Sequence, residues 1–353
     1  MHKTGTTAIQ RAFDGYDDGR IAYADLKILR NRKPNHGVAI ETLFRADFEN
    51  APPHVKLGRS PATIRQFRRK FAKKLDSQLT RNCDTLIFSG EAIPRLKPEE
   101  LQALANALRP HCDRIRILAY LRDPVGFSSS MFQQKCKDAN LQNLMQIPAP
   151  HYKVRFDRFR SVFGSDAVAF ARYDPANFPD GSVVADFAQR VGASDVSAVA
   201  MANPSLTADA TRCLFVLADQ GGFDMTDPLS RTTFRKVAAI LAAGMPGAAF
   251  RLPAAAVSNV VAASDLVWAK EVAGCDFTLS DGRMTETDLR ENLSDVSRTG
   301  REQLRAILMS RGIHSGPSVT EMMQALFLSV RSEARVALIK GRIKDFIATR
   351  VGR

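Results

Sequence analysis

The chain has 353 residues, of which 45% are hydrophobic and 25% are charged, and its formal net charge is +13. These values exclude a disordered or low-complexity chain, and the length allows one large domain or a core domain with an extension. The excess of positive charge favours an anionic partner such as a nucleotide, an acidic polysaccharide, a nucleic acid or a lipid headgroup, although a basic surface also serves solubility.

Five cysteines are scattered along the chain, without a CxxC pair and without a histidine at metal-ligand spacing. This usage predicts reduced thiols in a cytoplasmic protein, rather than a disulfide framework or a zinc site. The N-terminus lacks the apolar stretch of a signal peptide. The most apolar segment, residues 237–263, is interrupted by Pro246, Arg251 and Pro253, so we expect no membrane span.

The first helix in chain order is expected at residues 8–13, directly after the stretch "MHKTGTT". Residues 14–61 are rich in Asp, Gly, Asn and Pro, which predicts loops with short helical pieces. Ser60 is expected to cap a long basic amphipathic helix that has Pro61 at its first position. The Arg/Lys cluster of that helix is either a solvated face or a patch that binds an anion.

Three apolar runs indicate buried strands, each followed by a helical pattern: Cys83–Ile93, Asp113–Pro124 and Asp166–Pro175. This alternation predicts an α/β fold with a parallel sheet flanked by helices, in which ligands bind at the carboxyl ends of the strands. The remaining sequence shows helical periodicity and little strand character. We therefore expect an α/β nucleotide-binding core at 1–202 and a mainly helical C-terminal region, packed on the core, at 203–353.

The stretch before the first helix has the composition of an anion-binding loop. A turn that presents backbone N–H groups at the start of a helix attracts anions, and Gly5 allows a close approach to the main chain. Thr6 and Thr7 add hydroxyl donors, and Lys3 adds a positive charge. The order differs from the Walker A motif, in which the lysine follows the loop. A threonine-rich helix cap is the alternative interpretation.

A second motif, "LAYLRDPVGFSSSMFQQ" at 118–134, joins a strand end to a helix. Arg122 leaves the strand, Pro124 turns the chain, and Ser130 opens the next helix. An arginine followed eight residues later by a serine hydroxyl at such a junction is suited to hold a terminal phosphate. An arginine in a surface salt bridge beside a serine-rich cap is the alternative.

Taken together, these motifs resemble those of the PAPS-dependent sulfotransferases. "HKTGTTAIQ" is similar to the 5′-phosphosulfate loop of that family, and "YLRDPVGFSSS" is similar to its 3′-phosphate motif. The similarity continues through "FSGEAI", "RYDPANFPDGSVVADFAQRVG" and "NPSLTADATRCLFVLADQ", and it spans about residues 2–220.

The resemblance implies a P-loop-like α/β fold and transfer of a sulfuryl group from PAPS (3′-phosphoadenosine-5′-phosphosulfate), which leaves PAP. The backbone from Thr4 to Thr7 would hold the 5′-phosphosulfate, and Lys3 would neutralise charge on the bridging oxygen. Arg122 and Ser130 would hold the 3′-phosphate. The family needs no metal. The acceptor would be a hydroxyl or amine of a carbohydrate, a lipid or a small molecule, and the positive charge favours an anionic glycan slightly.

An acceptor hydroxyl also needs a general base. Glu91, in "SGEAI", is our first choice because it follows a strand, and a structural or surface carboxylate is the alternative. His36, in "PNHG", is the second choice, with an exposed histidine as its alternative. Arg172 and Tyr173 end the third strand and either line the site or belong to the core.

Three other functions stay open from the sequence. A nucleotide-dependent kinase is disfavoured by the missing GK[ST] and by the lack of an acidic strand end of the Walker B type. A basic nucleic-acid-binding protein is suggested by the net charge and by the helix around Arg65–Lys74, but no recognised motif supports it. A catalytically impaired sulfotransferase homologue would bind nucleotide or glycan without turnover.

The beginning of the sequence raises a further expectation. Proteins of this family place a central parallel strand immediately before the lysine of the loop, and here only Met1 and His2 precede Lys3. The first strand is therefore expected to be missing or truncated. Either the true start lies upstream, or the product is truncated and binds its donor poorly.

Overall fold

The computed structural model of the protein describes residues 3–28, 33–138, 144–196, 206–224 and 227–351, with side chains described up to residue 336. Met1 and His2 of the loop motif, and residues 203–205 of the last segment of the resemblance, lie outside the described residues.

The described part of the chain is an α/β structure in which helix predominates. Its α-helices are α1 (Thr6–Ala12), α2 (Gly37–Phe44), α3 (Pro52–Lys56), α4 (Pro61–Leu79), α5 (Pro98–Leu108), α6 (Pro124–Lys137), α7 (Tyr152–Phe163), α8 (Val183–Val191), α9 (Ala208–Asp219), α10 (Pro228–Gly244), α11 (Ala254–Ser258), α12 (Ala263–Glu271), α13 (Glu286–Ser294), α14 (Arg298–Ser310) and α15 (Val319–Val351). Its strands are β1 (Ile21–Tyr23), β2 (Thr85–Ile87), β3 (Ile117–Leu121) and β4 (Val168–Arg172).

The strands form two parallel pairs. β1 pairs with β2, with Ile21 opposite Thr85, and β3 pairs with β4, with Ile117 opposite Val168. The predicted parallel strands with flanking helices are therefore confirmed, but among the described residues they form two separate two-stranded sheets. A parallel connection needs a long crossover, which the intervening helices supply.

One strand was missed. The loops predicted for residues 14–61 contain β1, whose three residues are all buried. A run this short, placed between a loop rich in Asp and Gly and another loop, carries no period that distinguishes it from a turn. Its partner strand, β2, lies about sixty residues later in the chain, and Ile21 and Tyr23 pack in the apolar cluster that contains Phe13.

The predicted start of the long basic helix was confirmed. Ser60 Oγ accepts a hydrogen bond from the backbone N–H of Thr63, and Pro61 is the first residue of α4. Ser182 Oγ likewise accepts from the backbone N–H of Ala185 at the start of α8. Capping acts over three residues, which is why the sequence specifies it directly.

The chain divides into two compact units that alternate along the sequence. The first contains Met1–Asp123, His151–Ala202 and Ala262–Thr278. The second contains Pro124–Pro150, Asn203–Val261 and Leu279–Arg353. The sequence-based division at 202/203 coincides with one of these boundaries. The second unit also includes α6, and the first unit also includes α12.

Each unit has its own apolar core. In the first unit, one cluster packs α1 and α8 against the strands, and another packs α5, α7 and α12 together. In the second unit, the described helices share one large cluster built around α9, α10 and α15. No helix in the described part of the chain is both long enough and apolar enough to cross a membrane.

Candidate functional site

The loop before α1 is a fixed turn in the first unit. Lys3 and Gly5 both have positive φ, at 64° and 73°. Thr4 between them is only 1% exposed. A left-handed conformation costs a residue with a side chain about 1–2 kcal/mol, so the surrounding structure must hold Lys3 in place.

Gly5 packs against α8. A Cβ atom added to Gly5 would lie 2.5 Å from Cγ1 of Val183 and 3.6 Å from Cε2 of Tyr173. Contacts under 3.0 Å cannot be accommodated without a shift, and the left-handed φ adds to the penalty. Glycine is thus required here by packing and backbone conformation, in addition to any close approach of a ligand.

Arg122 brings the loop to the end of β3. Its Nη1 donates a hydrogen bond to the backbone carbonyl of Lys3 at 3.0 Å, across 119 residues of sequence. The guanidinium also lies 5.6 Å from the ring centre of Tyr173, whose backbone N–H donates to the Leu121 carbonyl at 2.6 Å. The carboxyl ends of β3 and β4 and the loop therefore meet at one place, as expected for the ligand side of a parallel sheet.

Tyr152 holds Arg122 from the other side. Its hydroxyl donates a hydrogen bond to the Arg122 carbonyl, and its ring stacks on Phe277 at 5.7 Å between centres. The backbone N–H of Tyr152 donates to Oδ2 of Asp265 at 3.0 Å. Burial raises the pKa of the Tyr152 phenol, so the hydroxyl remains a donor. Sequence patterns gave no signal for Tyr152 or Asp265, because their partners are distant along the chain.

Gln10 connects α1 to the end of β2. Its Nε2 lies 3.3 Å from Oγ and 3.4 Å from the carbonyl oxygen of Ser89, and it donates to both. The Gln10 side chain is buried. This contact places the loop that follows β2 beside the helix that follows the Lys3–Thr7 loop.

His36 bridges the ends of β1 and β2. Its Nδ1 accepts a hydrogen bond from the Ser89 N–H at 2.9 Å, and its Nε2 donates to the Ala24 carbonyl at 2.8 Å. Burial lowers the pKa of His36 to about 4, so the ring is neutral. Both ring nitrogens are hydrogen-bonded to the main chain. In this arrangement neither nitrogen can act as the general base that takes a proton from the acceptor hydroxyl.

Glu91 follows Ser89 and Gly90 and is half-buried. The loop that carries it packs closely against the start of α2. A Cβ atom on Gly90 would lie 2.8 Å from the backbone N of Gly37, and one on Gly37 would lie 3.1 Å from the backbone N of Ala92. Two glycines thus let the main chains touch, which fixes Glu91 at the carboxyl end of β2.

Arg172 is directed to another part of the first unit. Its Nη1 donates to the Asp276 carbonyl at 3.4 Å, and its guanidinium lies 5.3 Å from the ring centre of Phe277. Tyr173, the next residue, is the one that contacts the Gly5 and Arg122 positions. Of the two residues expected at the end of the third strand, the structure brings Tyr173 to the loop.

Ser130 belongs to α6 and therefore to the second unit, so the site of the first unit is described without it. Its two neighbours are buried and bonded to the main chain. Ser128 Oγ donates to the Pro148 carbonyl at 2.7 Å, and Ser129 Oγ accepts from the Leu252 N–H at 2.8 Å. Ser130 is half-buried.

The five cysteines are free thiols. Among the residues that the structure describes, no group of three or more His, Cys, Asp or Glu side chains is placed to hold a metal ion.

No model of a known protein family matches this chain. Comparisons with curated proteins and with solved structures found no match either. The resemblance to the sulfotransferases therefore rests on the sequence motifs.

Proposed function

We propose that the protein is a PAPS-dependent sulfotransferase with a P-loop-like nucleotide site, transferring a sulfuryl group to a hydroxyl or amine of a carbohydrate, lipid or small-molecule acceptor. One observation carries the proposal above all: Arg122 Nη1 donates to the Lys3 carbonyl at 3.0 Å. The two motifs that suggest a phosphosulfate loop and a 3′-phosphate grip are thus in direct contact, which their separation in sequence did not require.

The donor would lie across the Lys3–Thr7 loop. The backbone from Thr4 to Thr7 would surround the 5′-phosphosulfate, and Lys3 would offset the negative charge that develops on the bridging oxygen. Arg122 is assigned to the 3′-phosphate because it belongs to the second motif and its guanidinium lies at the Lys3–Thr7 loop. The planar donors of a guanidinium match the oxygens of a phosphate. Ser130 stays a prediction for that phosphate.

Sulfuryl transfer is an in-line displacement, comparable to phosphoryl transfer, so positioning and charge stabilisation supply most of the catalysis. We assign the general base to Glu91, which follows the carboxyl end of β2, as does Ser89, the partner of Gln10. His36 is assigned a positioning role, because both of its ring nitrogens hold main-chain groups.

Calorimetry with PAP tests the donor site. We expect the wild-type protein to bind PAP and Arg122→Ala to bind it roughly 10–100-fold more weakly, because a charge-assisted hydrogen bond contributes about 1.5–3 kcal/mol. Lys3→Ala should reduce the turnover of labelled PAPS more than it reduces PAP affinity. Arg116→Ala is the matched control, since Arg116 is exposed at the amino end of β3.

Three results would count against these assignments. A folded wild-type protein that does not bind PAP would refute the enzyme. Equal PAP affinity in wild type and Arg122→Ala would remove the 3′-phosphate assignment. PAP binding without sulfate transfer to any hydroxylated glycan or lipid would favour an impaired homologue.

A further inference from the structure

Tyr152, the first residue of α7, joins segments of the first unit that are far apart in the chain. Its side chain is completely buried, and its ring stacks on that of Phe277 with 5.7 Å between the ring centres. Its hydroxyl donates a hydrogen bond to the carbonyl of Arg122. A phenol has one O–H donor and needs a partner for it when buried. Here that partner is the main chain of the residue proposed to hold the 3′-phosphate.

Arg122 lies where the pairing of β3 with β4 ends. Leu121, opposite Arg172, is the last residue of the paired register, and its carbonyl accepts from the backbone N–H of Tyr173 at 2.6 Å. One residue later, the carbonyl of Arg122 accepts from a side-chain hydroxyl of α7 instead. The hydroxyl of Tyr152 thus extends the restraint on the main chain by one residue beyond the strand pair.

The main chain of Arg122 determines where its guanidinium can lie. Nη1 donates to the Lys3 carbonyl at 3.0 Å, and the guanidinium carbon lies 5.6 Å from the ring centre of Tyr173. A site that recognises an anion by directed hydrogen bonds needs its donors held within about 0.5 Å of the productive position. The bond from Tyr152 therefore controls the point from which the side chain of Arg122 reaches the Lys3–Thr7 loop.

Asp265 of α12 holds the main chain of Tyr152 in turn. Its Oδ2 accepts from the backbone N–H of Tyr152 and its Oδ1 from that of Lys153, both at 3.0 Å. The carboxylate is buried, and a charged acceptor for two N–H groups at the start of a helix is a strong local restraint. A series of hydrogen bonds thus runs from α12 through Tyr152 and Arg122 to the Lys3–Thr7 loop.

We propose that Tyr152 is a positioning residue that sets the selectivity of the donor site for a nucleotide with a 3′-phosphate, and that Asp265 supports it through the start of α7. The inference rests on the proposed function in one respect, that Arg122 is the ligand of the 3′-phosphate. The hydroxyl of Tyr152 bonds the main chain of Arg122. Its contribution is therefore the placement of the guanidinium, and not a direct contact with the nucleotide.

The test compares PAP with adenosine 5′-monophosphate, which has the same adenine, ribose and 5′-phosphate and lacks only the 3′-phosphate. Calorimetry measures PAP binding and NMR titration measures the monophosphate, with full-length wild type and with Tyr152→Phe, which loses the hydroxyl and keeps the ring. We expect Tyr152→Phe to bind PAP roughly 3–10-fold more weakly, as for the loss of one hydrogen bond, and the monophosphate within about two-fold of wild type. A role in stability alone would weaken both nucleotides equally.

Tyr23→Phe is the matched control. Tyr23 is also buried, and its hydroxyl also donates to a main-chain carbonyl, that of Pro34, at 2.6 Å. This variant loses the same kind of bond without involving Arg122, so its ratio of PAP affinity to monophosphate affinity should stay within about two-fold of wild type.

Asp265→Ala tests the support of Tyr152 by α12. It should lower the ratio of PAP affinity to monophosphate affinity in the same direction as Tyr152→Phe. Combined in one protein, the two substitutions should lower the ratio by less than the product of their single effects, because residues of one hydrogen-bond network are not additive. Independent effects, which multiply, would remove the role of Asp265.

Two results would overturn the role of Tyr152: an unchanged PAP affinity in Tyr152→Phe, or equal losses for the two nucleotides. Hydrogen exchange without nucleotide separates this from the proposed function. The amides of residues 120–123 should exchange about three-fold faster, or more, in Tyr152→Phe than in Tyr23→Phe. If this difference appeared and the wild type bound no PAP, the sulfotransferase would be wrong and the restraint on Arg122 would stand. Equal exchange in the two variants would contradict the restraint itself.

Discussion

Arg122 is the residue on which the candidate site depends most. It contacts the Lys3 carbonyl on one side, and its own carbonyl accepts from Tyr152 on the other. The guanidinium and the main chain of one residue therefore connect the N-terminal loop, the end of β3 and the start of α7. The cation–π contact with Tyr173 adds the end of β4. These directed contacts restrict the conformation of Arg122, as its proposed role in holding an anion would require.

His36 illustrates how a reactive side chain can serve structure. Its two nitrogens tie Ala24, after β1, to Ser89, after β2. Its ring also lies 4.7 Å from that of Tyr23. The neutral imidazole is thus part of the connection between the two strands, and its protonation would break the bond that Nδ1 accepts.

This role predicts an acid-dependent loss of stability. Burial sets the pKa of His36 near 4 in the folded protein, against about 6.5 when unfolded. The unfolded chain therefore binds more protons between these values. The contribution of His36 to the free energy of unfolding should be complete above about pH 6.5 and should fall by roughly 3 kcal/mol as the pH approaches 4. Urea unfolding at a series of pH values measures it.

The variant His36→Gln should be less stable at pH 7.5 and should lose most of this pH dependence. Some dependence should remain, because burial also lowers the pKa of His54. His111→Gln is the control, since His111 is exposed, and its slope should match the wild type. If His36→Gln kept the wild-type slope, the imidazole could not be the buried neutral group described above.

At the scale of elements, the start of α7 depends on α12. His151, the residue before α7, has a left-handed backbone and provides no side-chain cap. Asp265 of α12 instead accepts from the backbone N–H groups of Tyr152 and Lys153. A cap supplied from more than a hundred residues away fixes both the helix and the hydroxyl that holds Arg122.

Removing that cap should weaken the first unit. We expect Asp265→Ala to lower the free energy of unfolding by about 2–3 kcal/mol, because two N–H groups at the helix end lose a charged acceptor. Thermal unfolding followed by the fluorescence of Trp268, the single tryptophan, measures the change. Asp276→Ala should alter it by less than about 0.5 kcal/mol, since Asp276 forms an exposed ion pair with Lys270. Similar losses in the two variants would contradict the capping role.

The strands show how far sequence patterns predict structure at the scale of elements. The runs that contain β2, β3 and β4 were predicted from their apolar residues and their stop signals, and each prediction extended beyond the strand that forms. The pattern did not reveal β1, nor which strands pair, because pairing is set by contacts between segments far apart in the chain.

At the scale of the whole molecule, the two units alternate along the chain. The first unit includes residues 262–278, which lie in the sequence between two segments of the second unit. This short segment contributes Trp268 and Phe277 to the core cluster that contains Phe156. Trp268 also donates from Nε1 to Asp157 at 2.6 Å. The sequence-based core at 1–202 omits these contacts.

A fragment of residues 1–202 should therefore fail to fold cooperatively. Loss of one buried tryptophan alone costs about 3–5 kcal/mol, and a domain has only about 5–15 kcal/mol to lose. Far-UV circular dichroism against urea should show a broad, shallow change for the fragment and a sigmoidal transition for the full chain. A sigmoidal transition in the fragment would show that the segment 262–278 is dispensable.

The sequence by itself determined the features that act over a few residues. The cap at Ser60, the apolar strands and the helical second half follow from local hydrogen bonding and apolar periodicity. It also indicated the Lys3–Thr7 loop and Arg122 as candidate site residues, because of their side-chain chemistry and their place in the two motifs.

Only the tertiary structure determined which residues from distant segments are in contact. The contact of Arg122 with Lys3, the support from Tyr152 and Asp265, and the engagement of both His36 nitrogens all join distant segments. Such contacts depend on how whole elements pack, and packing sums many weak interactions that no local pattern specifies. The sequence could therefore propose Arg122 as an anion ligand, but only the fold shows that Arg122 contacts the Lys3–Thr7 loop.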